Sequence, residues 1–289
     1  MKHECANSNE KNDDNISASS VITSSILKRT EKCSRLKYTK SQRDKSSANF
    51  CNEGSLNSLR KVPQIFKKAR QEKRNYLLEP EAKTVCREYG IPVTKFEVVK
   101  NVDEAAKCAE EMSYPVVLKI VSPDVVHKSD VGGVILNLNS AQEVKDAYKK
   151  ILENIKKHKA NAKIIGILVQ EMAPQSTEVI VGATKDPQFG PALMFGLGGI
   201  FVEILKDVTF RIAPITRQDA QEMVTEVKAY PILKGYRGQP SVDIDAIVDI
   251  LLKTSKLVMD HLEIKELDLN PVMVYEKGAK TVDARIILE

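Results

Sequence analysis

Two apolar strands flank a polar loop in the stretch YPVVLKIVSPDVVHKSDVGGVILNL, which spans residues 114–138. The run at 115–121 is rich in β-branched residues and predicts a buried strand, and 132–138 predicts a second strand. Strands joined by short turns recur along the chain, with helices between them. This pattern predicts a mixed α+β fold in two lobes rather than a doubly wound parallel sheet.

The elements around this stretch follow the same alternation. Upstream, residues 65–90 predict two helices, with Pro80 placed to start the second and Gly90 to end it. Downstream, Ser140 and Glu143 predict a capping box at the start of a helix. Further elements are predicted in this order: a strand at 95–99, a helix from 103, strands at 164–172 and 178–184, helices at about 217–229 and 243–261, and two closing strands within 266–286.

Residues 1–64 differ in composition from the rest of the chain. They contain 12 Ser and 7 Asn with few large apolar residues, so they cannot bury enough surface to offset the entropy of ordering. We expect a disordered extension, either dispensable or a targeting or docking arm. The folded domain is expected at residues 65–289.

Charge and composition exclude several functional classes. The net charge of +5 lies entirely within residues 1–64, because residues 65–289 hold 32 basic and 32 acidic residues. A neutral folded part disfavours nucleic-acid binding. No apolar run reaches the roughly 18 residues of a membrane span, and the acidic start argues against a targeting peptide. Five widely spaced cysteines indicate reduced thiols. We therefore expect a soluble cytoplasmic protein.

The first candidate site residues lie in the opening stretch. Lys119 stands within the apolar strand, where an unpaired ammonium is costly, so it binds a phosphate or extends its amine to solvent from an edge strand. Gly132 and Gly133 would let backbone N–H groups approach a phosphate, although a glycine pair also suits a turn or bulge. His127 lies in the polar loop between the strands. It is either a solvated surface histidine or a nucleophile on a segment that swings.

Two further stretches carry polar groups beside apolar strands. In LVQEMAPQSTEV, residues 168–179, a strand is followed by a polar hinge, a place where backbone groups commonly bind the edge of an adenine base. Glu178 follows the hinge and could hold the ribose or a metal. The alternative is a hairpin with an exposed Glu. In FGLGGIFVEILKDVTFRIAPI, residues 195–215, Arg211 stands between apolar neighbours and needs an anion. That anion is a phosphate, or the carboxylate of Glu203 or Asp207.

The closing strands contribute a group of oxygen donors. Asp268 and Asn270 are two residues apart on a strand, so their side chains share a face, and Asp283 lies on the returning strand. Such donors suit Mg²⁺, which keeps several waters and shares phosphate oxygens. A polar hairpin face without metal is the alternative.

Taken in order, these motifs resemble one known family. The segments YPVVLKIVSPDVVHKSDVGGV, VQEMAP, TEVIVGATKDPQFGPALMFGLGGIFVEILKDVTFRIAPI, ELDLNPVMV and VDARI are similar to the β subunit of ADP-forming acetyl-CoA synthetase. The resemblance covers residues 65–289 and does not extend to residues 1–64. It implies an ATP-grasp fold, in which a nucleotide lies between two α+β lobes.

The resemblance also implies a role for each candidate. A relay phosphohistidine matches His127, and the aspartate that steadies it matches Asp268. Magnesium ligands match Asn270 and Asp283. Residues that hold ATP or ADP match the following positions: Lys119, Gly132, Gly133, Gln170, Glu171, Met172, Glu178 and, less firmly, Arg211.

The implied reaction is acyl-CoA + ADP + phosphate ⇌ carboxylate + CoA + ATP. The chain lacks a CoA-binding domain, so the resemblance implies a separate CoA-binding α subunit, in an α2β2 heterotetramer. Two alternatives are a succinyl-CoA synthetase β subunit and a non-catalytic regulatory ATP-grasp module. The HKSD loop argues against the first, and the presence of His127, Asn270 and Asp283 argues against the second.

Overall fold

A computed structural model of the protein describes residues 61–236, 238 and 240–289. Of the predicted disordered extension, residues 1–60 lie outside the described residues. Residues 61–64 belong to the first described helix, and the domain boundary at residue 65 stays a prediction. Val62, Phe66 and Ala69 are buried together on one face of this helix.

Helices and strands alternate along the described chain. The helices are α1 (Lys61–Gln71), α2 (Glu79–Glu88), α3 (Val102–Met112), α4 (Ala141–His158), α5 (Ile200–Glu203), α6 (Arg217–Glu226), α7 (Tyr230–Leu233) and α8 (Ile244–Asp260). The strands are β1 (Phe96–Val99), β2 (Val116–Val121), β3 (Val134–Leu138), β4 (Gly166–Glu171), β5 (Thr177–Asp186), β6 (Gly190–Leu197), β7 (Val208–Ile212), β8 (Ile264–Val274), β9 (Ala279–Thr281) and β10 (Ala284–Leu288).

Local signals predicted the ends of these helices well. Pro80 lies in the first turn of α2, and Gly90 follows its last turn with φ +72°. Ser140 caps α4 by accepting a hydrogen bond from the Glu143 amide at 3.2 Å. Glu143 accepts at 2.8 Å from the amide of Asn139, one residue before the cap, so the reciprocal bond of the predicted capping box is not made to Ser140 itself.

The smaller lobe is built on a four-stranded antiparallel sheet with the strand order β1-β4-β2-β3. Helices α3 and α4 cover one face, where Leu118 and Ile120 of β2 pack with Ile167 of β4. Because side chains alternate along a strand, Lys119 and Gln170 point to the opposite face.

The larger lobe is built on a six-stranded antiparallel sheet with the order β10-β8-β5-β6-β7, and β9 pairs with β8. Its apolar face packs against α1, α2, α6 and α8 in one hydrophobic core. The predicted two-lobed α+β fold is confirmed. Over the part of the chain that is described, no helix has the length and apolar character to cross a membrane.

Candidate active site

A cavity of about 450 Å³ is lined by residues from both lobes. The predicted residues Asp268, Asn270 and Asp283 line it, as do Glu79 at the start of α2 and Lys128 of the β2–β3 loop. The structure therefore brings together three residues from the closing strands with the loop that carries His127. This cavity is the candidate site.

His127 is exposed on the β2–β3 loop, between Val126 and Lys128, which both line the cavity. The side chain of Val126 is also largely exposed. An exposed histidine beside a cavity fits both interpretations of the sequence, a solvated residue and a mobile nucleophile. The mobile-nucleophile interpretation requires a cavity side chain that can accept a hydrogen bond from the imidazole.

Asp268 is a cavity-lining residue with an unused hydrogen-bond acceptor. Its Oδ1 is shielded from solvent and has no hydrogen-bond partner among the described residues. Burial, reinforced by the neighbouring charge of Asp283, raises the pKa of the Asp268 carboxyl to about 7. A shielded oxygen without a hydrogen-bond partner is energetically costly, and a donor that reached Oδ1 would remove that cost.

Asn270 and Asp283 lie side by side, since the Asn270 amide donates to the Asp283 carbonyl at 3.2 Å. Asp283 Oδ1 accepts from the Ala284 amide at 2.8 Å, and its Oδ2 lies 3.4 Å from Lys119 Nζ. Among the described residues there is no cluster of three or more His, Cys, Asp or Glu suited to a metal. Two oxygen-bearing side chains are enough for Mg²⁺ when phosphate oxygens and water supply its other ligands. They are too few for a metal whose ligands all come from the protein.

Lys119 is paired with carboxylates rather than with solvent. Its Nζ donates to Glu79 Oε1 at 2.7 Å, and its side chain is only 8% exposed. The alternative of an amine that extends to solvent is therefore wrong, because β2 is an inner strand that β3 and β4 flank. Burial lowers the pKa of Lys119, but Asp283 and Glu79 outweigh it, so the pKa is raised.

Glu79 is the centre of this charge network, and the sequence interpretation missed it. Burial would raise the pKa of the Glu79 carboxyl, but Lys119, Lys128 and Lys83 together hold it at about 2. Lys83 lies one turn further along α2, with Nζ 3.3 Å from Glu79 Oε1. Burial lowers the pKa of Lys83 to about 8, although Glu79 partly offsets this. The available signal was a charged pair four residues apart, at the helix start that Pro80 marks.

The predicted adenine hinge lies at the end of β4. The carbonyl oxygen of the Gln170 side chain accepts a hydrogen bond from Lys83 in a fully buried contact. Glu171 accepts from the Lys95 amide at 2.7 Å and pairs with Lys280 at 3.0 Å. The Met172 amide donates to the Pro115 carbonyl at 3.0 Å. None of these three hinge residues lines the cavity, but Lys83 links Gln170 to Glu79.

Glu178 is exposed at the start of β5, away from the cavity lining. The Gly198 amide donates to its carbonyl at 2.8 Å. A Cβ at Gly198 would lie 2.9 Å from Glu178 Cβ, so only glycine fits there. The glycine-rich segment thus fixes the position of Glu178.

The two glycines after His127 form a turn in this structure. The Gly132 amide donates to Ser129 at 3.0 Å, and the Gly133 amide donates to Lys128 at 2.7 Å. Both N–H groups are therefore occupied, and the turn alternative is the arrangement observed. The amides are occupied because the tight turn brings the Ser129 and Lys128 carbonyls next to the two glycines. Phosphate binding by Gly132 and Gly133 stays a prediction that requires the turn to open.

Arg211 is not brought into the cavity. Its guanidinium donates to Glu226 of α6 at 3.1 Å and lies 3.5 Å from Glu222. The alternative pairing with Asp207 is wrong, because the Asp207 carboxylate accepts the Lys228 and Ala229 amides at 2.9 and 2.8 Å. The side chain of Glu203 lies outside the described residues. Phosphate binding by Arg211 stays a prediction.

Comparison with known proteins identifies the family. The model of the ATP-grasp domain matches residues 68–288. The chain is 52% identical over 233 residues to the β subunit of acetate–CoA ligase (ADP-forming) I from Pyrococcus furiosus, and the match covers 81% of this chain and 100% of the relative. The chain belongs to the ATP-grasp family of ADP-forming acetate–CoA ligase β subunits. The resemblance seen in the sequence is thereby confirmed.

Solved structures of an ATP-grasp relative share the fold. They are of the dinucleotide-forming acetyl-coenzyme A synthetase 1 of Candidatus Korarchaeum cryptofilum. One complex holds coenzyme A and acetyl-coenzyme A, with a phosphorylated phosphohistidine segment; it matches at 51% identity and a TM-score of 0.75. Another holds coenzyme A and Mg-AMPPCP, with the phosphohistidine segment pointing towards the nucleotide-binding site, and has 51% identity and a TM-score of 0.71. Each match covers 79% of this ATP-grasp chain and the whole of the compared chain.

Proposed function

We propose that this chain transfers phosphate between His127 and ADP as the β subunit of an ADP-forming acyl-CoA ligase. One observation carries the proposal: Asp268, whose Oδ1 is shielded and unpartnered among the described residues, lines the same cavity that the His127 loop borders. A relay histidine needs such an acceptor to fix its ring while one nitrogen attacks phosphorus. Similarity to structures with a phosphohistidine segment supports the same role for His127.

The step balances as a transfer between two phosphate acceptors. In the direction of ATP formation, the phosphorus–nitrogen bond at His127 breaks and a bond forms to a β-phosphate oxygen of ADP. Neutral imidazole is a nucleophile near pH 7, and its phosphoramidate is a reactive donor. The net reaction is acyl-CoA + ADP + phosphate ⇌ carboxylate + CoA + ATP.

The chain's own residues would bind and orient the nucleotide. Lys119 would leave Glu79 and Asp283 to neutralise phosphate, and Gln170, Glu171 and Met172 would read the adenine edge. Glu178 would hold the ribose or a metal-bound phosphate. Gly132, Gly133 and Arg211 are weaker candidates, because each is occupied by a protein partner in this structure.

Asn270 and Asp283 would hold Mg²⁺, because together they offer two adjacent oxygen donors at the cavity. When bound, Mg²⁺ would neutralise the negative charge on the phosphate oxygens during the transfer. Lys119, within 3.4 Å of Asp283, would share that role.

The proposed partner is a CoA-binding α subunit. The curated relative from Pyrococcus furiosus is itself a β subunit. An α2β2 heterotetramer in the cytoplasm is the assembly we expect. The identity of the acyl group would be read on the partner.

The function is tested by ATP formation from acetyl-CoA, ADP and phosphate, with the full-length chain purified together with its native partner. His127→Asn should lower the rate by at least about 10³-fold, because it removes the nucleophile. His158→Asn is the matched control, since His158 is exposed and its ring contacts only the Asn154 carbonyl at 2.9 Å among the described residues. Equal rates in the two variants would reject the phosphohistidine relay.

A further inference from the structure

One carboxylate, that of Glu79, connects the phosphate-binding candidate Lys119 to the loop that carries His127. Its side chain is 3% exposed, and Oε1 accepts from Lys119 Nζ at 2.7 Å. Its Oε2 accepts from Lys128 Nζ, and Lys83 lies 3.3 Å away on the same helix. Glu79 is thus fixed in place by α2 and by two buried lysines.

The His127 segment, residues 125–131, is attached to the rest of the protein at defined points. Val125 is buried, and the Lys128 carbonyl accepts from the Gly133 amide at 2.7 Å. The Lys128 side chain reaches Glu79, whereas the adjoining Val126 and His127 are exposed. Because consecutive Cα atoms are about 3.8 Å apart, holding Lys128 also holds His127.

We propose that Glu79 is a positioning residue, which holds the His127 segment against the cavity through its ion pair with Lys128 and releases it for phosphoryl transfer. The inference rests on the proposed function, since only a phosphate-carrying histidine requires the segment to move. A charge-assisted hydrogen bond shielded from water is strong enough to set the resting position of a loop.

The charges around Glu79 explain how the segment is released. Three lysines, Lys83, Lys119 and Lys128, contact the single carboxylate of Glu79, so positive charge is in excess around it. Phosphate oxygens of a bound nucleotide satisfy that excess. Lys128 can then exchange Glu79 for phosphate, and the buried Glu79 carboxylate stays paired with Lys83 and Lys119.

Amide hydrogen exchange tests the ion pair in the full-length chain without nucleotide. The reporters are the amides of Gly132 and Gly133, since both bond to carbonyls of the segment and open when it leaves. Glu79→Gln should speed their exchange about tenfold or more, relative to the amides of β5. Lys128→Gln should have the same effect, the double variant should add nothing, and Lys128→Arg should retain the slow exchange.

Glu81→Gln is the matched control. Glu81 lies on the same helix and is paired with the buried Arg74 at 2.9 and 3.0 Å. Its loss removes a buried ion pair of similar kind without touching the segment. If Glu79→Gln and Glu81→Gln speed the glycine amides equally, Glu79 is only structural and the inference fails.

The result is independent of the proposed function. Exchange is measured without nucleotide or partner, so an inactive His127 would leave it unchanged. An active relay with a Glu79→Gln variant that exchanges like wild type would overturn the positioning role alone.

Discussion

Replacing Glu79 by Gln should destabilise the protein in a pH-dependent way. The charge network lowers the pKa of the Glu79 carboxyl from 4.5 to about 2. A shift of that size corresponds to about 3 kcal/mol, at 1.36 kcal/mol per pKa unit. Loss of one partner of a buried ion pair typically costs about 3–5 kcal/mol, which is of the same order.

The pH window follows from the direction of the shift. A carboxyl whose folded pKa is lowered contributes its full stabilisation above the unfolded pKa of 4.5, and loses it as the pH falls towards 2. The difference in unfolding free energy between wild type and Glu79→Gln should therefore be largest at pH 7 and should shrink below pH 4.5.

Urea unfolding followed by circular dichroism at pH 7 and pH 3.5 measures this difference. The control is Glu263→Gln, which removes a partly exposed ion pair with Arg70 at 3.0 Å and should cost no more than about 1 kcal/mol. If Glu79→Gln lowers the unfolding free energy at pH 7 as little as the control does, Glu79 does not neutralise the lysines as described. If its cost does not change with pH, the lowered pKa is wrong.

Four further variants probe other parts of the site. Gly198→Ala should lower the unfolding free energy by about 1–3 kcal/mol, because its Cβ would lie 2.9 Å from Glu178 Cβ; an unchanged urea midpoint would show that the strand can shift. Asp268→Asn should slow ATP formation about 10²-fold while the calorimetric Kd for Mg·ADP stays within about threefold, and a parallel loss of binding would place Asp268 in the nucleotide site instead. Lys119→Met should weaken Mg·ADP binding about tenfold or more, whereas Asp283→Asn should raise the Mg²⁺ concentration needed for half-maximal ATP formation; unchanged values would remove either residue from the site.

Local chemistry made much of the fold predictable. The continuous apolar runs of β2 and β4, the capping residue Ser140 and the glycine after α2 are signals that act within a few residues, so they can be recognised in the sequence. The antiparallel two-lobe arrangement also followed from the short connections between strands.

The charge network was not predictable in the same way. Lys119 was expected to need an anion, but its partner Glu79 lies 40 residues earlier in the chain. That contact exists only because the start of α2, a helix of the larger lobe's core, reaches the inner face of the smaller sheet. No local sequence pattern predicts a contact between residues so far apart in the chain.

The wrong alternative for Arg211 and the occupied amides of Gly132 and Gly133 have the same origin. The sequence placed acidic residues at four-residue spacing from Arg211 and offered them as its partners. Arg211 instead lies on β7 and pairs with Glu226 and Glu222 of the next helix, α6. The glycine amides of 132 and 133 were offered to phosphate, but the turn they form already uses them. In each case a tertiary or turn contact, rather than spacing, selects the partner.

Mass spectrometry of the intact full-length chain, after incubation with Mg·ATP alone, asks whether His127 exchanges phosphate with the nucleotide. We expect one acid-labile phosphate per chain, located on the peptide that contains His127, absent from His127→Asn and removed when excess Mg·ADP is added. A chain that binds Mg·ATP but carries no phosphate on His127, or an equal phosphate on His127→Asn, would contradict the relay.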